Sequence, residues 1–363
     1  MPHFVTFGEI MMRMAPAGHL RITQTLPGSI DVTFAGAEAN VAVSLARLGA
    51  DAGFVTAIPD NPLADACIST LKGLAVDTTG VHQTDYGRLG IYFVESGANQ
   101  RPSRVIYDRA GSSISLTPAE VYDWPALLQG AHSLHVSGIT PALSLAAAEA
   151  TIAAVQAAKA GGVRVSCDLN YRAKLWDWRS GTDGRNLAGE VMSQVLPDVD
   201  ILIANEADCG DVLGIHAGDS EVESGNVEVA AYPDVARQVA SKFPNLSFIA
   251  TTLRESFSAN YNNWGAMLYD VANDTPHFAP ETDGHYTPYE IRNIVDRVGG
   301  GDAFAAGLLF ALNHDDFDGP KTALQFATAA SCLAHSILGD FNFSCRSEVE
   351  ALMKGSVSGR VVR

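Results

Sequence analysis

The run Asp296-Arg297-Val298-Gly299-Gly300-Gly301-Asp302-Ala303-Phe304 joins a glycine turn, a helix start and a carboxylate. Three successive glycines let the backbone turn where side chains would clash, and the apolar residues 305–312 that follow read as a helix. The first N–H groups of such a helix have no partner inside it, so they face whatever sits in the turn and favour an anion there. A carboxylate at the mouth of an anion site repels the anion. Asp302 makes sense in that place as a base that takes a proton from a hydroxyl attacking phosphorus, with Gly299, Gly300 and Gly301 shaping the turn. The plainer reading is a capping Asp after a tight turn.

In open parallel α/β sheets, ligands sit beyond the carboxyl ends of the strands, which directs attention to the polar residues there. After the apolar run 163–167 come Asp168-Leu169-Asn170-Tyr171-Arg172. After 201–204 come Asn205-Glu206-Ala207-Asp208, where the chain re-enters a helix. Both clusters are equally readable as loop and helix caps. Ala35-Gly36-Ala37-Glu38-Ala39-Asn40 opens another helix. There Gly36 allows close ligand approach and Asn40 faces the ligand one turn later, although a packed turn and a surface Asn explain the pattern as well.

The elements that must hold these groups alternate along the chain. β-rich runs at 4–7, 53–57, 133–136, 163–167, 201–204 and 248–252 are interleaved with helical patterns such as 39–48 and the Ala-rich 145–160, which ends at Gly161-Gly162. The pattern specifies an α/β fold, a mainly parallel central sheet flanked by helices. Two stretches break the rhythm, about 11–34 and 88–110. There Ile22, Leu26, Ile30, Val32 and Phe34, and Ile91, Phe93, Val105 and Tyr107, suggest extra strands that pair as a small β lid. The polar segment 218–230 reads as a surface insertion, and no linker divides residues 1–363, so a single domain is expected.

Composition excludes several classes. A chain of 363 residues with 47% hydrophobic and 18% charged content can build a sizeable core. With 41 acidic against 24 basic residues, the net charge of −17 argues against nucleic acid or an anionic membrane as partner. Cys67, Cys167, Cys209, Cys332 and Cys345 form no CxxC pair, and no apolar run approaches the roughly 20 residues that span a bilayer, so a cytoplasmic protein is expected. Phe7-Gly8-Glu9-Ile10 lacks the glycine pattern of a dinucleotide fold, and no Walker A sequence occurs.

Taken together and in this order, the Gly36–Asn40 opening, the Asp168–Arg172 and Asn205–Asp208 runs and Gly299–Asp302 resemble the ribokinase-type (PfkB) carbohydrate kinases over essentially the whole chain. The resemblance implies a ribokinase-like fold, Asp302 as the base that activates a sugar hydroxyl, and an anion hole at Gly299 to Asp302. It implies ATP and Mg²⁺ as cofactors, with Asn205, Asp208 and Glu206 placing metal and phosphate. The family pattern there is Asn-x-x-Glu, and Asp208 has a shorter reach. Arg254, where many relatives have a glycine-containing nucleotide loop, is a candidate for the ATP phosphates. The carbonyls of Asp296 and Val298 are candidates for a monovalent cation such as K⁺. Asp296–Asp302, Gly36–Ala42 and Gly339-Asp340-Phe341-Asn342 look most like the 2-keto-3-deoxygluconate kinases of that family. Their acidic substrate implies arginine forks, for which Arg109 and Arg172 are the candidates, with Tyr92, Tyr107 and Asn170 beside them. The alternatives are a fructokinase or 5-dehydro-2-deoxygluconokinase of the same family, or a sugar-binding regulatory protein without catalysis. An exposed lid edge implies a homo-oligomer formed lid to lid.

Overall fold

The computed structural model describes residues 3–205, 207–216 and 229–355, so the expected insertion at 218–230 lies, apart from its last two residues, outside the described residues. Strands β1 (His3–Phe7), β4 (Asp51–Pro59), β5 (Val81–Thr84), β8 (Ser133–Ser137), β9 (Arg164–Asp168), β10 (Ile201–Ala204), β11 (Phe248–Ser258), β12 (Tyr261–Asp270) and β13 (Thr275–Ala279) form the main sheet. Their order is β13-β12-β11-β10-β9-β8-β1-β4-β5, and a short strand Tyr289–Arg292 also pairs with β12. From β11 to β5 every pairing is parallel; β12 and β13 are antiparallel.

Alternation along the strands supplies both faces of this sheet with apolar groups. Phe4, Ile201 and Ile203 pack under the helices Ala37–Leu48, Gly300–Leu312 and Gly319–Ala334, whereas Val5, Phe7 and Leu202 face the helices Leu145–Ala160, Gly184–Val195 and Tyr232–Lys242. The helix Leu145–Ala160 has the bounds its sequence implied, and Ser144 caps it by accepting from the Ala147 N–H at 3.1 Å. No helix among the described residues is long and apolar enough to cross a membrane.

The lid is a separate sheet, β3-β2-β6-β7, built from β2 (Met11–Ala15), β3 (Asp31–Ala35), β6 (Gly90–Glu95) and β7 (Arg104–Asp108). One detail corrects the sequence reading. Ile22 opens a single helical turn, Ile22–Thr25, and Leu26 follows it, so neither belongs to a strand; the Gln24 side chain accepts from the Arg21 N–H and closes that turn locally. Ile91 and Phe93 lie in β6 and Val105 and Tyr107 in β7, as expected, and the register, which pairs Tyr92 with Tyr107 and Val94 with Val105, sets the two pairs on opposite faces. Strand β6 is apolar at consecutive positions, so its period does not reveal which face turns inward.

Candidate active site

Gly299 caps the helix Gly300–Leu312 with φ 84°, a left-handed conformation that suits glycine, and a Cβ there would collide with the carbonyl of Asp340. Asp302 lies in the first turn of that helix and makes no capping bond, which removes the plainer reading. Its carboxylate instead accepts from Asn40 Nδ2 at 2.6 Å. Asn40 stands one turn into the helix Ala37–Leu48, and its Oδ1 accepts from the Gly36 N–H at 3.2 Å, which fixes the amide so that its N–H₂ faces Asp302. Gly36 itself is required by protein packing, since a Cβ would collide with the Glu9 carbonyl. Burial raises the Asp302 carboxyl from 3.8 to about 7. The Asn40 donor and the Arg172 charge oppose the rise, and the negative neighbours Asp340 and Glu38 add to it.

Gly36, Asn40, Tyr92, Tyr107, Arg109, Asn170, Arg172, Asn205, Asp208, Arg254, Gly299, Gly301 and Asp302 all line one cleft of about 420 Å³ between the lid and the carboxyl ends of the strands. Gly300 is the exception: it is buried behind the turn against His335. Glu206 lies outside the described residues. Tyr92 does not present a free hydroxyl, because it donates to Asp340 Oδ2 at 2.6 Å. Arg109 is buried and ion-paired with Glu9, and its guanidinium lies 5.4 Å from the centroid of the Tyr107 ring. Arg172 is exposed at the other side of the cleft, with one nitrogen donating to the Tyr171 carbonyl at 2.9 Å.

Asn205 and Asp208 interlock. Asn205 Oδ1 accepts from the N–H groups of Ala207 and Asp208, at 2.8 and 3.1 Å. Asp208 accepts from the N–H groups of Tyr171 and Asn205, at 3.2 and 3.0 Å. Asp208 therefore spends much of its acceptor capacity on backbone. Asp168, which heads the neighbouring loop, is held well above the usual carboxylate range by burial, then by the charges of Asp208 and Asp302. Such mutual repulsion suits a cation in the cleft. Among the described residues, no three His, Cys, Asp or Glu side chains group to hold a metal.

Sequence reasoning missed a buried cluster beneath the turn. Arg13 on β2 pairs with both Asp296 and Asp340. Asp296 Oδ1 accepts from the N–H groups of Arg297 and Val298, at 2.8 and 3.2 Å, and Oδ2 from Gly339 at 3.2 Å. The available signal was a lone Arg between Met12 and Met14 in an otherwise apolar strand. Glu38 was also missed: its Oε1 accepts from Ser137 and Thr140 at 2.7 and 3.0 Å, while burial keeps its carboxyl above the ordinary range. On the far side, Arg297 Nη2 donates to the carbonyls of Ser258 and Ala259, at 3.1 and 2.9 Å, holding the tip of the β11–β12 hairpin. That tip meets the lid: the Ala259 N–H donates to the Asn99 carbonyl at 2.8 Å, and the Asn99 N–H to Asn260 Oδ1 at 2.7 Å.

A family model described as pfkB family carbohydrate kinase matches residues 1–237. The 2-dehydro-3-deoxygalactonokinase of Haloferax volcanii is 32% identical over 356 residues, covering 98% of each chain. The 5-dehydro-2-deoxygluconokinase of Lacticaseibacillus casei is 27% identical over 307 residues, covering 84% of this chain and 80% of that one. The crystal structure of a 2-dehydro-3-deoxygluconokinase from Thermotoga maritima matches with a TM-score of 0.86 at 44% identity, covering 98% of this chain and all of that one.

Proposed function

Because the chain belongs to the pfkB family of carbohydrate kinases, we propose that it transfers the γ-phosphoryl group of ATP to the primary hydroxyl of an open-chain sugar acid, 2-keto-3-deoxygluconate or its galactonate epimer. The observation that carries the reading is Asp302, a carboxylate raised to about 7 at the mouth of a glycine turn, in one cleft with Arg109 and Arg172. A base with a pKa near the working pH combines enough ionised form with enough affinity for a proton. Asp302 takes the proton of the attacking hydroxyl, and Asn40 orients the carboxylate that receives it. The N–H groups at Gly299 to Asp302 stabilise charge as it gathers on the transferred group. Arg172 and the remaining donors of Arg109 hold the substrate carboxylate, with Tyr107 and Asn170 around the sugar chain. The lid over the cleft limits the access of water, which would otherwise compete as acceptor.

Asn205, Asp208 and Asp168 are the residues that would face a Mg²⁺ ion shared with the nucleotide phosphates. Such an ion, when bound, neutralises phosphate charge. Arg254 belongs to the phosphate side of the cleft, and a K⁺ ion at the carbonyls of Asp296 and Val298 is a further part of the proposal. Residues 1–363 act as one kinase unit in the cytoplasm, where five unpaired thiols are at home. A lid-to-lid dimer is supported by the row Val32, Met14, Phe93 and Ile106, which the register aligns across the lid face opposite Arg13 and which is exposed at both ends; sedimentation of the Ile106→Glu variant as dimer would count against it.

ADP release from Mg-ATP tests the reading, comparing the two keto-deoxy acids with fructose and 5-dehydro-2-deoxygluconate. Turnover confined to a keto-deoxy acid supports it. A neutral-sugar reading also has an observation in its favour, since Glu9 already neutralises Arg109; turnover with fructose alone would establish it.

A further inference from the structure

We propose that Arg13 is a positioning residue that couples the sugar-facing lid to the glycine turn; the proposal rests on the kinase reading above. Arg13 is 2% exposed within the lid strand β2. A guanidinium so placed must be matched in charge and hydrogen-bonded, and its partners lie outside the lid, Asp296 just ahead of the glycine turn and Asp340 in the lining of the cleft. Asp296 receives the N–H groups of Arg297 and Val298 immediately ahead of the turn, and the turn rests at Gly299 on the backbone of Asp340.

On the lid side, Arg13 is the register partner of Tyr92, and Tyr92 of Tyr107, whose ring underlies Arg109. Tyr92 also donates to Asp340. One row of side chains, Arg13-Tyr92-Tyr107, therefore crosses the lid from the turn to the arginine proposed for the substrate carboxylate. A lid that settles on its substrate through Tyr107 and Arg109 shifts the same row that holds both aspartates, and with them the direction of the N–H groups in the turn. Stability alone does not account for the arrangement, because apolar residues often serve a buried site as well as an ion pair does.

The test uses the full chain with Arg13→Lys, Arg13→Met and Tyr92→Phe. Lysine keeps the charge and loses the two-pronged geometry. The readouts are kcat, the KM for the sugar acid, and the Kd of AMP-PNP with Mg²⁺ in the presence and absence of the sugar acid. In the wild type, bound sugar acid should tighten AMP-PNP. In the Arg13 variants kcat should fall by about 100-fold, the effect of misplacing reacting groups by about 1 Å, while the sugar KM stays within about threefold. The sugar-dependent tightening of AMP-PNP should shrink toward none in all three variants. Unchanged kcat in both Arg13 variants overturns the proposal, as does a wild type without tightening. A parallel loss of both affinities with the tightening ratio intact overturns it too, since that marks general damage. Should Arg13→Met fail to fold, Arg13→Lys and Tyr92→Phe carry the same measurement. If the wild type phosphorylates only a neutral sugar, the sugar-acid reading fails, and the ratio measured with that sugar still decides the coupling.

Discussion

Replacing Asp302 by Asn should reveal both a catalytic role and a folding penalty. Asparagine keeps the shape and still accepts from Asn40, but it takes no proton. Loss of a positioned base lowers turnover by about 10²- to 10⁴-fold, and the sugar KM should move little. With a carboxyl titrating at about 7, about 9% of wild-type molecules carry the ionised base at pH 6 and about 91% at pH 8, so kcat/KM should rise about tenfold across that interval. The variant's residual rate should not follow this curve. The same shift has a stability consequence. An acid whose folded-state pKa lies above its unfolded value holds its proton more tightly when folded, so its contribution is full below about 4 and is lost as pH rises to about 7. A shift from 3.8 to about 7 corresponds to up to about 4 kcal/mol. Urea unfolding should therefore find the Asn variant more stable than the wild type, by about 2 kcal/mol at pH 5 and up to about 4 kcal/mol at pH 8. A stability gap that stays flat with pH, or a variant that turns over within tenfold of wild type, would refute the reasoning.

Arg109→Ala and Arg172→Ala should raise the KM for the sugar acid with little change in kcat, by about 10- to 100-fold for a lost charge-assisted bond. Arg109→Ala should be the worse of the two because it strands buried Glu9; equal losses for a neutral hexose would contradict the carboxylate assignment. Gly299→Ala should lose about 2 kcal/mol or more, read as a fall in the unfolding midpoint, because alanine pays for the left-handed backbone and meets the Asp340 carbonyl. Gly301→Ala should fold normally, since beyond its own chain neighbours and helix backbone nothing lies within 4 Å of the added Cβ, yet turn over at least about tenfold more slowly as the methyl enters the anion site; undiminished turnover would place the phosphate elsewhere.

Local chemistry made much of the site legible. The glycine turn, the helix after it and the placement of Asn40 one turn inside its own helix follow from backbone rules that act over a few residues, and these meet in the Asn40–Asp302 hydrogen bond. Contacts across long sequence separations were not legible: Glu9 with Arg109, or Arg13 with Asp296 and Asp340, leave only a charge in an apolar setting as their trace. Strand β11 shows a different limit. Its sequence stops looking like a strand at Thr252, yet the ladder continues to Ser258, because Arg254 and Glu255 pair across to Trp264 and Asn263 beyond the edge of the main core. In the lid, successive apolar residues erase the period that would assign a face, and a local turn at Ile22–Thr25 replaces an expected strand.

The contact between the β11–β12 tip and the lid turn acts as a latch. Two hydrogen bonds, at Ala259–Asn99 and Asn99–Asn260, tie the far end of the lid to the part of the chain that Arg297 anchors. At about 1 kcal/mol net apiece, they disfavour release of that end by about 2 kcal/mol, or about thirtyfold. An opening that broke these two bonds alone would leave only a few per cent of molecules open at that side. Because Asn99 and Ala259 contribute only backbone atoms, Asn260 is the side chain through which a substitution would loosen the latch, and Asn260→Ala should speed product release while leaving the chemical step unchanged, as product-release kinetics would read.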